Sequence, residues 1–195
     1  SQAEVVEDLA RAAESGLDLA ALRRLWATGG PETLDPASPL RPLRDAEPFE
    51  ALRRRVLRAR RAGADLRVLL AGLGPVGRYM PRLDFAASFF TVAGLPVVGA
   101  EGHADPAALV AAAREAAAPV VVLVARDETY AEGGEAAARA LKEALPTARL
   151  ILAGRPDDED LRRRLEAAGV ELFLHRRSDL LQTLNGLADE LGVEA

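Results

Sequence analysis

The 195-residue chain has no cysteine, two histidines, one tryptophan and a single lysine, Lys142. Without thiols there is neither a disulfide framework nor a thiolate metal site, and two histidines leave little for an imidazole-based centre, so no metal is expected. Basic residues form no tract. The 25 Lys and Arg and 30 Asp and Glu give a formal charge of −5 with both signs mixed along the chain, which argues against a nucleic-acid surface. No apolar run approaches the ~20 residues of a membrane span. The start, Ser1-Gln2-Ala3-Glu4, is polar and acidic where a signal peptide would be basic and then apolar. Neither nucleic acid nor a membrane is an expected partner, and the cytoplasm is the expected location. What the chain does have is 49% hydrophobic residues, rich in Ala, enough to bury a substantial core in one α/β domain with a short appendage. The dominance of Arg over Lys reads as genome composition rather than function.

Residues 1–30 are expected to form a helical pair: Val5, Val6, Leu9 and Ala13 recur at helical spacing, and Asp18 is placed to cap a second segment ending before Gly29-Gly30. Pro31, Pro36, Pro39 and Pro42 then fall in a polar stretch that cannot be a helix interior, so 31–46 is expected to be a Pro-rich linker. The α/β domain is expected over 47–195. Glu47-Pro48 starts a helix with Phe49, Leu52, Val56 and Leu57 on one face, ending at Gly63. Five apolar bursts at 66–71, 95–99, 120–125, 148–153 and 170–174 read as buried strands, each followed by a helical segment with starts at Asp105-Pro106, Asp157 and Ser178. Alternation of this kind gives a doubly wound five-stranded parallel sheet, most simply in flavodoxin-like order.

Ligands in such a sheet sit at the carboxyl ends of the strands, so the loops 72–78, 101–104, 126–130, 154–157 and 175–177 are the places to search. The first holds a literal G-x-G-x-x-G at Gly72, Gly74 and Gly77, with Glu101 after the next strand, the outline of a dinucleotide fingerprint. The spacing to Glu101 exceeds the ~20 residues usual there, and Pro81 disfavours a helix running straight on from Gly77. The preferred reading is that the glycines make a turn. His103 and His175 have no adjacent nucleophile and read as loop histidines. Arg78, Arg82, Arg126, Arg155, Arg176 and Arg177 would make the edge basic if they converge, which makes Arg78, Arg126, Arg155 and His175 candidate contacts for an anion or a partner. Asp127, Glu128 and the acids at 157–160 read as helix N-terminal charges. No catalytic acid/base pair emerges.

The stretch RVLLAGLGPVGRYMPRLDFAASFFTVAG at 67–94 resembles the carboxyl-terminal domain of the small subunit of heterodimeric methylmalonyl-CoA mutase, with Leu73-Gly74-Pro75 after the strand and Asp84-Phe85-Ala86 and Phe89-Phe90 on the helix. AEPFEALRRRV at 46–56, Asp127 with Tyr130-Ala131, and LAGRP at 152–156 extend the resemblance from Ala46 to about Gly192. It implies a cobalamin-binding-like fold. The family's large amino-terminal barrel has no counterpart in these residues, so acyl-CoA chemistry has no obvious home in them. The related catalytic subunit carries Asp-x-His-x-x-Gly, Ser-x-Leu and Gly-Gly for cobalamin. In this chain 72–78 holds neither Asp nor His, Ala125-Arg126-Asp127 stands in the second place, and Gly154-Arg155 in the third, where Arg155 is expected to fill the nucleotide-tail channel. The resemblance thus implies a non-catalytic part of an isomerase that binds no cofactor itself and pairs with the catalytic large subunit, which would bind adenosylcobalamin. The alternatives are a nucleotide or anion module based on Gly72, Gly74, Gly77 and Glu101, and a domain that still binds cobalamin without a His ligand.

Overall fold

Valine and leucine runs without polar alternation can form strands only where both faces of a sheet are covered, and the central strands meet that condition. In the computed structural model every residue of β1 (Val68–Leu73) and β4 (Val120–Val124) is buried. The structure describes residues 45–194 except Ala100, and Val76 without its side chain. The chain divides into two units, Ser1–Leu43 and Arg44–Ala195, and all that follows concerns the second. The helical pair expected at 1–30 and nearly all of the connection at 31–46 lie outside the described residues.

The remaining strands are β2 (Val97–Val98), β3 (Gly102–His103), β5 (Arg149–Ala153) and β6 (Leu172–Leu174). All pairings are parallel, in the order β2-β1-β4-β5-β6, with β3 also on β1. Counting β2 and β3 as one interrupted edge strand, this is the five-stranded, doubly wound, flavodoxin-like sheet that the alternation predicts. The interruption corrects the expected loop at 101–104. Val68 lies opposite Val97, but Gly72 lies opposite Gly102, so the edge strand carries one extra residue and bulges before rejoining. Gly99, at φ +69°, makes the bend, and a Cβ there would come within 2.6 Å of Leu69 Cδ1.

Helices α1 (Glu47–Arg61), α2 (Met80–Val92) and α6 (Leu180–Glu190) cover one face, burying Leu52, Val56, Leu83, Phe90 and Leu184. Helices α3 (Pro106–Ala116), α4 (Glu135–Ala144) and α5 (Glu159–Ala167) cover the other with Leu109, Leu141, Leu161 and Leu165. On α1 only part of the expected face is buried: Leu57 is 45% exposed, because the Leu52 to Val56 stripe aims the next residue away from the sheet. Arg55 clips α1 to α6, donating to Asp189 Oδ1 at 2.6 Å, Asn185 Oδ1 at 3.1 Å and Val193 O at 2.8 Å.

Three aspartates cap helices. Asp105 accepts from Ala108 N, Asp158 from Asp160 N and Leu161 N, and Asp179 from Gln182 N. Asp105 is where the sequence places it. The other two caps fall one residue beyond the expected Asp157 and Ser178. The backbone carbonyl of Asp157 accepts from Arg162, and the Ser178 hydroxyl accepts from His175 N to close the turn after β6. Both residues belong to turns leading into the helices.

Candidate functional site

The carboxyl ends of β1 and β4 flank the point where the strand order reverses, the usual ligand crevice of this architecture. The glycine segment sits there, but it is not shaped as a phosphate loop. Gly72 belongs to β1, not to the turn after it. A Cβ on Gly72 would overlap the Tyr79 hydroxyl and lie 2.7 Å from its ring, so the open space above this glycine is filled by the chain's own tyrosine. Gly74, at φ +89°, and Gly77 face open space. After them comes a single 3-10 turn, Val76–Arg78, then a break at Tyr79, and α2 begins at Met80 with Pro81 in its first turn. The backbone amides that would cradle a pyrophosphate therefore do not open a continuous helix. Tyr79 is buried, its hydroxyl has no hydrogen-bond partner among the described residues, and burial pushes the phenol pKa up.

A second aromatic closes the β4 and β5 ends. The chain leaves β4 through one helical turn (Asp127–Thr129) and a π-helical turn (Tyr130–Gly134), which returns Tyr130 beneath the strands. Its buried hydroxyl accepts from Ala125 N at 2.8 Å and lies 2.8 Å from Ala153 O and 3.0 Å from Leu123 O, so its one proton bridges two strand ends. Burial raises the phenol pKa strongly against the opposing pull of the nearby Arg82 charge. Arg82 comes in from α2. Its Nη1 donates to Ala125 O at 2.6 Å and pairs with Asp127 Oδ1 at 3.0 Å, and its guanidinium lies 5.5 Å from the centre of the Tyr130 ring. A Cβ on Gly154, at φ +118°, would lie 3.1 Å from that guanidinium. Arg155, expected to fill the space beside Gly154, is exposed and lines the groove beyond β5 and β6, and Arg82 from α2 lies against Gly154.

The other sequence candidates are distributed among three places. Glu101 and His103 line a shallow groove on the outer edge, near α3. Arg78 and Arg126 share a small groove with Asp127 and Glu128, and Arg126 Nε lies 3.6 Å from Glu128. Arg155 and His175 share the third, beyond β5 and β6. There Arg82, Arg155, Arg162, Arg176 and Arg177 converge with His175 on an open groove of about 560 Å³, in which Asp157 is the sole acidic lining residue. Arg162 is set by its own helix start, donating to Pro156 O at 2.6 Å and Asp157 O at 2.8 Å. His175 Nδ1 accepts from Arg177 N at 3.1 Å, which leaves the ring proton on Nε2. Sequence reasoning missed Arg162, whose position four residues after the Asp158 cap was the available signal, and the filling roles of Tyr79, Arg82 and Tyr130. Among the described residues no group of three His, Asp or Glu side chains could hold a metal, and no helix is long and apolar enough to cross a membrane.

No family model matches the chain. Two solved structures align along it: a CheY-like protein of Pseudomonas aeruginosa, TM-score 0.49 and 21% identity over 66% of this chain and 94% of that one, and the chemotaxis protein CheY4 of Vibrio cholerae, 0.47 and 16% over 65% and 98%. Two curated relatives are nearer in sequence. The methylmalonyl-CoA mutase small subunit of Porphyromonas gingivalis is 32% identical over 155 residues, 80% of this chain, and that of Streptomyces virginiae is 33% identical over 162 residues, 81% of this chain. The chain spans about a quarter of their length, 24% and 25%. Over about four fifths of its length the chain is thus similar to part of the methylmalonyl-CoA mutase small subunit.

Proposed function

We propose that this α/β unit is a non-catalytic, cobalamin-binding-like domain of a methylmalonyl-CoA mutase small subunit, and that it serves to pair with the catalytic large subunit rather than to hold cofactor or substrate. One observation carries the reading: the crevice at the β1, β4 and β5 ends is filled from within by Tyr79 over Gly72 and Arg82 over Gly154. A corrinoid does not fit the residues present. The nucleotide tail would have to enter the space those two side chains occupy, and neither Asp nor His lies between Gly72 and Arg78 to reach a cobalt from below. The alternative of a dinucleotide on the glycine segment meets the same obstacle at Gly72.

The test is co-expression of the full chain with a large mutase subunit from the same genome, followed by size-exclusion chromatography, alongside an absorbance titration of the chain with hydroxocobalamin. A stable hetero-complex and an unchanged corrinoid spectrum are expected. Saturable micromolar corrinoid binding by this chain would overturn the non-binding half, and failure to associate with the large subunit would overturn the pairing half.

A further inference from the structure

The cationic groove beyond β5 and β6 adjoins the filled crevice and shares Arg82 with it. At the amino ends of β5 and β6, by contrast, clustered cations are neutralised, whereas arginines of α1 line a groove of their own without an acidic residue. Lys142 and Arg149 share Glu171 at 2.7 and 2.6 Å, and Arg67 forks onto Asp65. In the groove, Arg155, Arg176 and Arg177 form no ion pair or side-chain hydrogen bond among the described residues, and all three are exposed. An acidic chain that concentrates unpaired guanidinium groups around one hollow raises the local potential there, and anions are attracted to it.

The arrangement has features of a built site. Two backbone carbonyls fix Arg162, so its remaining N–H groups are held in place without an acidic partner. The turn after β6 is closed by Ser178 and by the Arg177 N–H to His175 bond, which presents Arg176 and Arg177 from a short, tied loop. Planar, permanently charged guanidinium groups suit bidentate contact with phosphate oxygens. The accessible apolar wall between the cations is Pro81 and Phe85 from α2, while Pro156 and Leu174 are buried. A volume of about 560 Å³ falls in the range of small-molecule sites.

We infer that this groove binds a phosphate-bearing small molecule of about nucleoside diphosphate size, its phosphates on Arg155, Arg162, Arg176 and Arg177 and its organic part against Pro81 and Phe85. The inference does not depend on pairing with a mutase subunit, and its test uses the chain alone. Isothermal titration with ADP, pyrophosphate and adenosine, each at low and high salt, is the measurement. ADP is expected to bind more tightly than pyrophosphate, with adenosine silent. Arg155→Glu and Arg177→Glu should each weaken ADP about tenfold or more, as loss of a charge-assisted contact requires. Arg54→Glu, the same charge change on α1 outside this groove, should leave affinity within about twofold of the parent. A thermal melt of each variant verifies folding. No saturable heat with ADP up to millimolar concentration would overturn the proposal, as would equal loss in Arg54→Glu. Pyrophosphate binding as tightly as ADP would overturn the organic part and leave a bare anion site.

Discussion

The two halves of the carboxyl edge contrast in how they treat charge and space. At the β1 and β4 ends, two tyrosines and an arginine turn inward, and the one cation among them is tied to a carbonyl and a carboxylate. At the β5 and β6 ends, Arg155, Arg176 and Arg177 are exposed and stand without an ionic partner among the described residues around a hollow. The fold has one ligand crevice by topology, and in this chain it has been filled from within. The space that remains open lies two strands over. What distinguishes the halves is residue size at two positions. Gly72 and Gly154 lack side chains because Tyr79 and Arg82 need the room, so glycines that would admit a ligand in another sequence admit the chain's own side chains here.

The contrast is broken most forcefully by emptying the filled half. Tyr130→Ala removes a buried ring and the hydroxyl that joins the ends of β4 and β5, leaving Ala125 N unpaired. A loss of about 3–5 kcal/mol is expected from chemical denaturation, at the level of other aromatic-to-alanine core changes. A loss under about 1 kcal/mol would mean that the inward packing is incidental.

The strand and helix alternation was legible because it depends on patterns a few residues long: buried runs of valine and leucine, and aspartates before helical stretches. The sheet order followed from the crossover rule. The site was only partly legible. Arg78, Arg126, Arg155 and His175 were correctly assigned to the carboxyl edge, but whether they converge depends on how far each loop leans, and they separate into two grooves. The filling of Gly72 by Tyr79 is a contact between residues seven apart across a strand end, with no periodicity to reveal it. At Gly154, with φ at +118°, the chain turns, and a helix residue from β1's crossover, Arg82, lies beside the glycine, which sequence adjacency does not reveal.

A sharper probe of the filled half is Gly72→Ala. The new Cβ would overlap the Tyr79 ring, and about 1–3 kcal/mol of stability should be lost to overpacking. Tyr79→Phe alone should change stability little or raise it slightly, because the hydroxyl it removes is buried without a partner among the described residues. In the double variant the collision is partly relieved, so a coupling of at least about 0.5 kcal/mol should appear in the cycle. Strict additivity would show that Tyr79 does not occupy this space in solution.

The unpaired groove can also be compared with the paired cluster at the amino ends of β5 and β6. There, burial disfavours the Glu171 carboxylate, but the hydrogen bond from Lys142, the Leu150 N–H and the Arg149 charge outweigh it, and the pKa is lowered below its ordinary 4.5. A lowered folded-state value means the stabilisation is complete above the ordinary pKa and is lost as pH falls through the folded one. Glu171→Gln should therefore cost about 1 kcal/mol or less at pH 7, the scale of partly exposed ion pairs. The parent's advantage over the variant should shrink as pH drops below 4.5. An advantage that grew toward acid pH would contradict the pairing.

The smallest effect is expected where the groove's cations are reversed. Arg155 and Arg177 are exposed, and neither has an ionic partner among the described residues, so a double Arg155→Glu, Arg177→Glu change removes no contact that supports the fold. It does relieve repulsion among the guanidinium groups lining the hollow, and it adds carboxylates beside Arg162 and Arg176. Stability should rise by no more than about 0.5 kcal/mol at low salt. Since the repulsion is between exposed groups, the difference should fade as the ionic strength reaches about 1 M, where the Debye length is only about 3 Å. Parallel denaturation curves at the two salt concentrations read this directly. A double variant less stable than the parent by more than about 1 kcal/mol would show that these cations hold the fold, and the distinction between a filled, paired half and an open, unpaired one would no longer stand.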